Sequence, residues 1–172
     1  MGSSPIAILA YGYDLGLSAR QIKEADRWGN LTVPWVETAP ALDEDDECLS
    51  FVDQCKRRLL HPPAGLTLVE AAQWSETFTE NIGWFGVDEA SVTASGVEFV
   101  AWGDDTEPSF ALVAHCERND WETSKALDLA ALERRRADPK LGWDALLDQA
   151  LKRLQITPLQ TSPSWLLLAQ YS

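Results

Sequence analysis

Two continuous apolar runs stand near opposite ends of the chain, Ile6-Ala-Ile-Leu-Ala-Tyr11 and Trp165-Leu-Leu-Leu-Ala169. A strand with one wet face alternates apolar and polar residues, so a run without alternation suits a strand covered on both sides. Two such strands predict that the ends of the chain knit one sheet together. The expectation is a single α+β domain over residues 1–172. Its sheet, mixed or antiparallel, should hold about four to five strands, the first and last of them central, with helices packed on it.

Punctuation fills in the rest. Gly12 and Gly16 suggest that the first strand ends at Tyr11 in a turn or loop. Ser18 is positioned to cap a short helix to Trp28, with Gly29 just past its end. Residues 30–43 read as loop, broken by Pro34 and Pro40. From about Glu44 to Leu60, Cys48, Phe51, Val52, Cys55 and Leu59 recur at helical spacing, and Lys56, Arg57 and Arg58 suit the negative end of the helix dipole. Thr67 and Glu70 have the spacing of a capping box, which predicts a second helix to about Ile82. Residues 97–102 and 110–116 read as a hairpin around the polar turn Gly103–Pro108. Asp128 is placed to cap a helix to Ala137, and Trp143, Leu146, Leu147, Ala150, Leu151 and Leu154 mark one face of another.

The apolar runs are far shorter than the roughly 20 residues of a membrane-spanning helix. The first residues lack the basic stretch of an export signal, and Ile6 occupies the position where a myristoylation motif needs Ser or Thr. A cytoplasmic location with free thiols is therefore expected, and no membrane partner. The eight Trp residues should be mostly core or half-buried, because large rings stabilise by burial.

Charge is unevenly distributed. The chain carries 27 acidic and 14 basic residues, for a net of −13. Residues 28–122 hold 19 acids against Lys56, Arg57, Arg58 and Arg118, a net of −15, and the flanks together carry +2. Such a field repels a phosphate backbone and attracts basic surfaces or cations, so no nucleic-acid partner is expected and a basic protein surface is.

Catalytic patterns are thinly supplied. His115 and Cys116 are neighbours in a predicted strand, so they point to opposite faces and form no dyad. His61 is the only other histidine, and no G-x-S-x-G elbow occurs. Cys48 and Cys55 on one helix would be separated by about 10.5 Å of rise, too far for a disulfide or a shared zinc. The run Asp43-Glu-Asp-Asp-Glu47 departs from the calcium-loop pattern at Cys48 and Gln54. The loop Gly12-Tyr-Asp-Leu-Gly16 follows a strand, as phosphate loops do, but lacks their lysine and places Asp14 where phosphate charge would sit. No catalytic residue, metal ligand or cofactor is assigned. Tyr11, Tyr13 and Asp14 at a strand end, and Asp104, Asp105 and Glu107 at the hairpin tip, are the candidate binding residues.

The segments Ile8-Leu-Ala-Tyr-Gly-Tyr-Asp-Leu-Gly16 and Ile156-Thr-Pro-Leu-Gln-Thr-Ser-Pro-Ser-Trp-Leu-Leu167 resemble a group of uncharacterised small proteins of actinobacteria and their phages. Gly96-Val-Glu-Phe99 and Ala111-Leu-Val-Ala114 add a weaker match, and the similarity covers about a fifth of the chain. The resemblance implies a context, an accessory protein in a bacterial or phage setting, and no activity. The leading expectation is a non-enzymatic acidic protein–protein interaction module. Two alternatives are a nucleic-acid-mimicking inhibitor of a DNA-binding protein and a carboxylate-based metal-dependent or acid–base enzyme.

Overall fold

The computed structural model describes residues 5–36, 50–60, 67, 69–70, 95–120, 122–139 and 142–171. Four strands, β1 (Pro5–Leu17), β2 (Glu98–Trp102), β3 (Ser109–Asp120) and β4 (Ser164–Tyr171), form one antiparallel sheet in the order β2-β3-β1-β4. The helices among the described residues are α1 (Phe51–Leu59), α2 (Leu129–Arg136) and α3 (Trp143–Leu154). The α+β expectation holds, with an antiparallel sheet.

Two strand expectations need correcting. β1 is interior as expected, but β4 lies at the sheet edge. Its apolar run does not mean two covered faces: Leu168 is buried, whereas Leu167 is 81% exposed. β1 also does not stop at Tyr11. It continues through Gly12 and Gly16 to Leu17, because Gly12 serves a close approach of backbones instead of a turn. The register runs Tyr11 to His115 and then Gly12 to Val113, which leaves Ala114 as the extra residue of a bulge. A Cβ at Gly12 would lie 2.0 Å from the Leu112 carbonyl oxygen.

The sheet curls strongly. Just past β2, Gly103 N–H donates to the Ala169 carbonyl at 2.8 Å, and the Gly103 carbonyl accepts from Tyr171 N–H at 3.2 Å. This short bridge brings the far ends of the strand order together and encloses a small core of Ile8, Ala10, Val100, Ala111, Val113 and Leu168. The opposite face carries the larger core, where Tyr11, Leu15, Phe99 and Leu112 meet Val52, Cys55 and Leu59 of α1 and Trp143, Leu147 and Leu154 of α3. Arg58 Nε donates to the Arg153 carbonyl at 2.9 Å and Arg153 reaches the Arg58 and Leu60 carbonyls, so guanidinium groups satisfy both helix C-terminal ends.

The helix predicted from Ser18 to Trp28 is absent. Ser18 and Ala19 have φ of 51° and 56°, and the segment is pinned by bridges from Ile22 to Pro158 and from Ala25 to Leu31. With little apolar periodicity, tertiary pairing decides its conformation. α1 is shorter than expected, beginning after its N-cap Ser50 instead of near Glu44. Cys48, the run 43–47 and His61 lie outside the described residues. The Thr67–Glu70 box is formed, with Glu70 accepting from Thr67 N–H at 2.9 Å and Thr67 Oγ1 from Glu70 N–H at 3.3 Å. Val69 and Glu70 are helical, and the rest of the helix predicted to Ile82 lies outside the described residues. Asp128 caps α2 by accepting from Ala131 N–H at 2.9 Å, and the predicted α3 face is the one that packs. Of the described tryptophans, Trp35, Trp102, Trp143 and Trp165 are buried or half-buried and Trp28 is exposed. Among the described residues no helix is long and apolar enough to cross a membrane.

The close approach at Gly12 has a measurable consequence. Gly12→Ala forces backbone apart from backbone and should cost about 3 kcal/mol or more, whereas Gly103→Ala, with open space but φ of +87°, should cost roughly 1 kcal/mol. Urea unfolding midpoints of the two variants check the order.

Candidate functional site

The best-defined cluster of polar and aromatic groups surrounds Tyr11, where the sheet meets the α2–α3 junction. The bulge turns His115 onto the same face as Tyr11, and β4 places Trp165 opposite Tyr11. Trp143, the first residue of α3, fills the centre. Its ring stacks on His115 at 4.5 Å and 5°, and meets Tyr11 and Trp165 at 5.8 Å each. Tyr11 and Trp165 stand edge to face at 5.3 Å. Such geometries suit the ring quadrupole.

A chain of hydrogen bonds ties this cluster to the helices. Tyr11 Oη donates to Asp144 Oδ1 at 2.7 Å, and Arg136 Nη1 donates to Asp144 Oδ2 at 3.2 Å. Arg136 Nε donates to Glu133 Oε2 and Trp165 Nε1 to Glu133 Oε1, both at 2.8 Å. Burial, then the Asp144 acceptor, push the Tyr11 phenol up to about 12, so near neutral pH it is a hydrogen-bond donor. Glu133 is held below the usual carboxylate range by Trp165 N–H and Arg136. This arrangement orients and locks side chains at the junction.

His115 is less well served. Its Nε2 lies 3.2 Å from Glu117 Oε1, yet the atom is buried and the carboxylate is off the hydrogen-bonding axis. Glu117 is also engaged by Lys125. Burial lowers the His115 pKa, Arg135 lowers it further, and Glu117 opposes the shift. Cys116 faces the other side, among residues packed on the small core, and its thiol is pushed up to about 12 by burial and by Glu98. Burial likewise raises the Cys55 thiol.

The remaining candidates fall elsewhere. Tyr13 is buried in the larger core, and burial with Asp148 and Asp144 raises its pKa. Asp14 serves its own chain: Oδ1 accepts from Gly16 N–H at 2.9 Å, and its N–H donates to Gln160 at 3.0 Å. Asp104 accepts from Thr106 N–H at 2.8 Å and from the Thr106 hydroxyl, which shapes the hairpin tip. Asp105 and Glu107 are exposed beside it. Among the described residues no hydrogen bond or ion pair joins this tip to Tyr11, Tyr13 or Asp14. A cleft of about 340 Å³ beside the start of α1 is lined by Asp53, Lys56 and Arg118 together with Phe99 and Phe110. Lys56 pairs with Asp53 at 3.7 Å. Among the described residues no three His, Cys, Asp or Glu side chains gather at metal-binding spacing.

Sequence reasoning singled out Tyr11 but missed its partners. The available signal was the i,i+3 pair Glu133 and Arg136 in the last turns of α2, followed by Asp144 in the first turn of α3. No family model, curated protein or solved structure matches this chain.

The His115 environment sets a pH dependence. Its pKa is depressed on folding, so the unfolded chain binds the proton more readily, and stability falls as pH drops through and below about 6.5. His115→Phe keeps a ring against Trp143 and removes that titration. Thermal midpoints measured from pH 7.5 to 5 should fall less steeply in the variant than in the native chain.

Proposed function

We propose that this chain is a non-enzymatic acidic protein–protein interaction module that meets a basic surface on its partner. The supporting observation is the division of its acids into used and unused groups. Glu98 lies 3.6 Å from Arg118, Glu117 meets Lys125, and Glu133 and Asp144 share Arg136. The tip acids Asp104, Asp105 and Glu107 have no ion-pair partner among the described residues. Three exposed carboxylates share one turn, shaped by the Asp104–Thr106 bonds, and present negative charge to solvent. Charge of this kind speeds encounter with a basic surface and makes it salt-sensitive. The resemblance to small actinobacterial and actinophage proteins suggests an accessory role for such contacts.

Neutralising the tip with Asp104→Asn, Asp105→Asn and Glu107→Gln tests the reading, since none of these side chains is buried. Native and neutralised proteins, with an unrelated acidic protein of equal charge as control, are immobilised and exposed to bacterial lysate at about 0.05 M and about 0.5 M salt. The expected result is a defined basic protein retained by the native chain at low salt, lost at high salt, and absent from both other surfaces. Equal retention by the native and neutralised chains would refute a role for the tip.

A further inference from the structure

The helix-bearing face of the β1–β4 pair extends beyond the helices. Directly opposed residues of antiparallel strands point to one side, so Tyr11 with Trp165, Leu9 with Leu167, Ala7 with Ala169 and Pro5 with Tyr171 are successive rungs. Trp143 covers the first rung. The next three lie open: Leu167 is 81% exposed, Tyr171 50%, and Ala7 and Ala169 are exposed. β4 also lacks the usual guards of an edge strand, having no charged residue and no proline from Ser164 to Tyr171. Gly103 bonds its outer edge at Ala169 and Tyr171. Backbone groups alternate in direction along a strand, so Trp165 and Leu167 also direct N–H and C=O outward. Among the described residues no backbone group answers them.

We propose that the open β4 edge receives an extended segment of a partner protein in which apolar residues alternate with Lys or Arg. The inference rests on the interaction-module reading and gives it a contact surface. Main-chain hydrogen bonds at Trp165 and Leu167 add the segment to the sheet, and its apolar side chains cover Leu167. Charge complementarity selects the basic character. Asp104 and Asp105 follow directly on Gly103, so acids without an ion-pair partner among the described residues adjoin the end of the edge where Gly103 meets Ala169 and Tyr171. A second copy of this chain is the poorer occupant, because each copy carries −13.

The test uses three end-capped octapeptide probes: alternating Val and Lys, alternating Val and Glu, and alternating Gly and Lys. Each is titrated into the ¹⁵N-labelled full chain up to millimolar concentration. The Val–Lys peptide should shift the amides of residues 164–168, the Gly–Lys peptide should bind at least about tenfold more weakly, and the Val–Glu peptide should not bind. Leu167→Lys adds an edge guard at an exposed site, and circular dichroism verifies its fold; it should weaken Val–Lys binding by about tenfold or more. Shifts confined to residues 103–108, with binding unchanged in Leu167→Lys, would overturn the edge proposal and leave the acidic module standing. Equal binding of Val–Glu and Val–Lys would overturn both. No shift with any peptide, or a dimer of the free chain that Leu167→Lys dissociates in sedimentation, would also overturn the edge proposal.

Discussion

The backbones of β1 and β3 approach so closely at Gly12 that no side chain fits between them, and the bulge this contact accompanies organises the helix-bearing face. An extra residue in β3 rotates the following side chain, so that Ala114 and His115 both turn toward the helices. His115 then lies flat against Trp143, and Trp143 begins α3. Once α3 is seated, Asp144 in its first turn meets the Tyr11 hydroxyl, and Arg136 joins α2 to the same carboxylate. A larger residue at position 12 would disturb this whole sequence of contacts, since the bulge, the stack and the hydrogen-bonded chain share one register. The sheet curl depends on a second glycine: Gly103 adopts a positive φ while bonding both Ala169 and Tyr171.

Sequence legibility followed how local each determinant was. α3 was visible because its buried residues recur every three or four positions, and α2 because Asp128 and the Asp138-Pro139 break bound it. The hairpin and the Thr67–Glu70 box are likewise written in adjacent residues. The failures depend on distant partners. Gly12 has the same chemistry in a turn and at a close strand contact, and the carbonyl of Leu112, a hundred positions away, decides between them. The segment after Leu17 takes its shape from Pro158, Thr157 and Leu159. Trp165–Ala169 contains enough apolar residues for burial on both faces, but the helix-bearing face is covered only at Trp165 and left open at Leu167 and Ala169. For the candidate site, Tyr11 and the tip acids could be named, but the convergence of Tyr11, Asp144 and Arg136 spans 133 residues of chain.

Electrostatic organisation links the core and the surface. Cations are fewer than acids, and many of those described have specific structural duties. Arg58 and Arg153 hold helix carbonyls, Arg136 joins two carboxylates, and Lys125 sits on Glu117. Exposed pairs of this kind contribute little stability individually, but they cancel charge locally. The negative field is consequently not a uniform coat. It persists where carboxylates lack a cation, and the hairpin tip is such a place among the described residues.

An edge strand as apolar as β4 normally invites indiscriminate pairing, so its persistence calls for a physical restraint. Two are present in the fold. Gly103 occupies the edge at Ala169 and Tyr171, which shortens the unpaired stretch to a few residues, too short for extended pairing to be strong. The net charge of −13 adds long-range repulsion between copies, which acts before short-range contacts form. Both restraints discriminate. Repulsion opposes a second acidic chain and becomes attraction for a basic one, while the short edge rewards a strand that supplies matching apolar side chains along with its backbone. An edge with lysine guards would lose that selectivity, because it would reject basic strands together with all others.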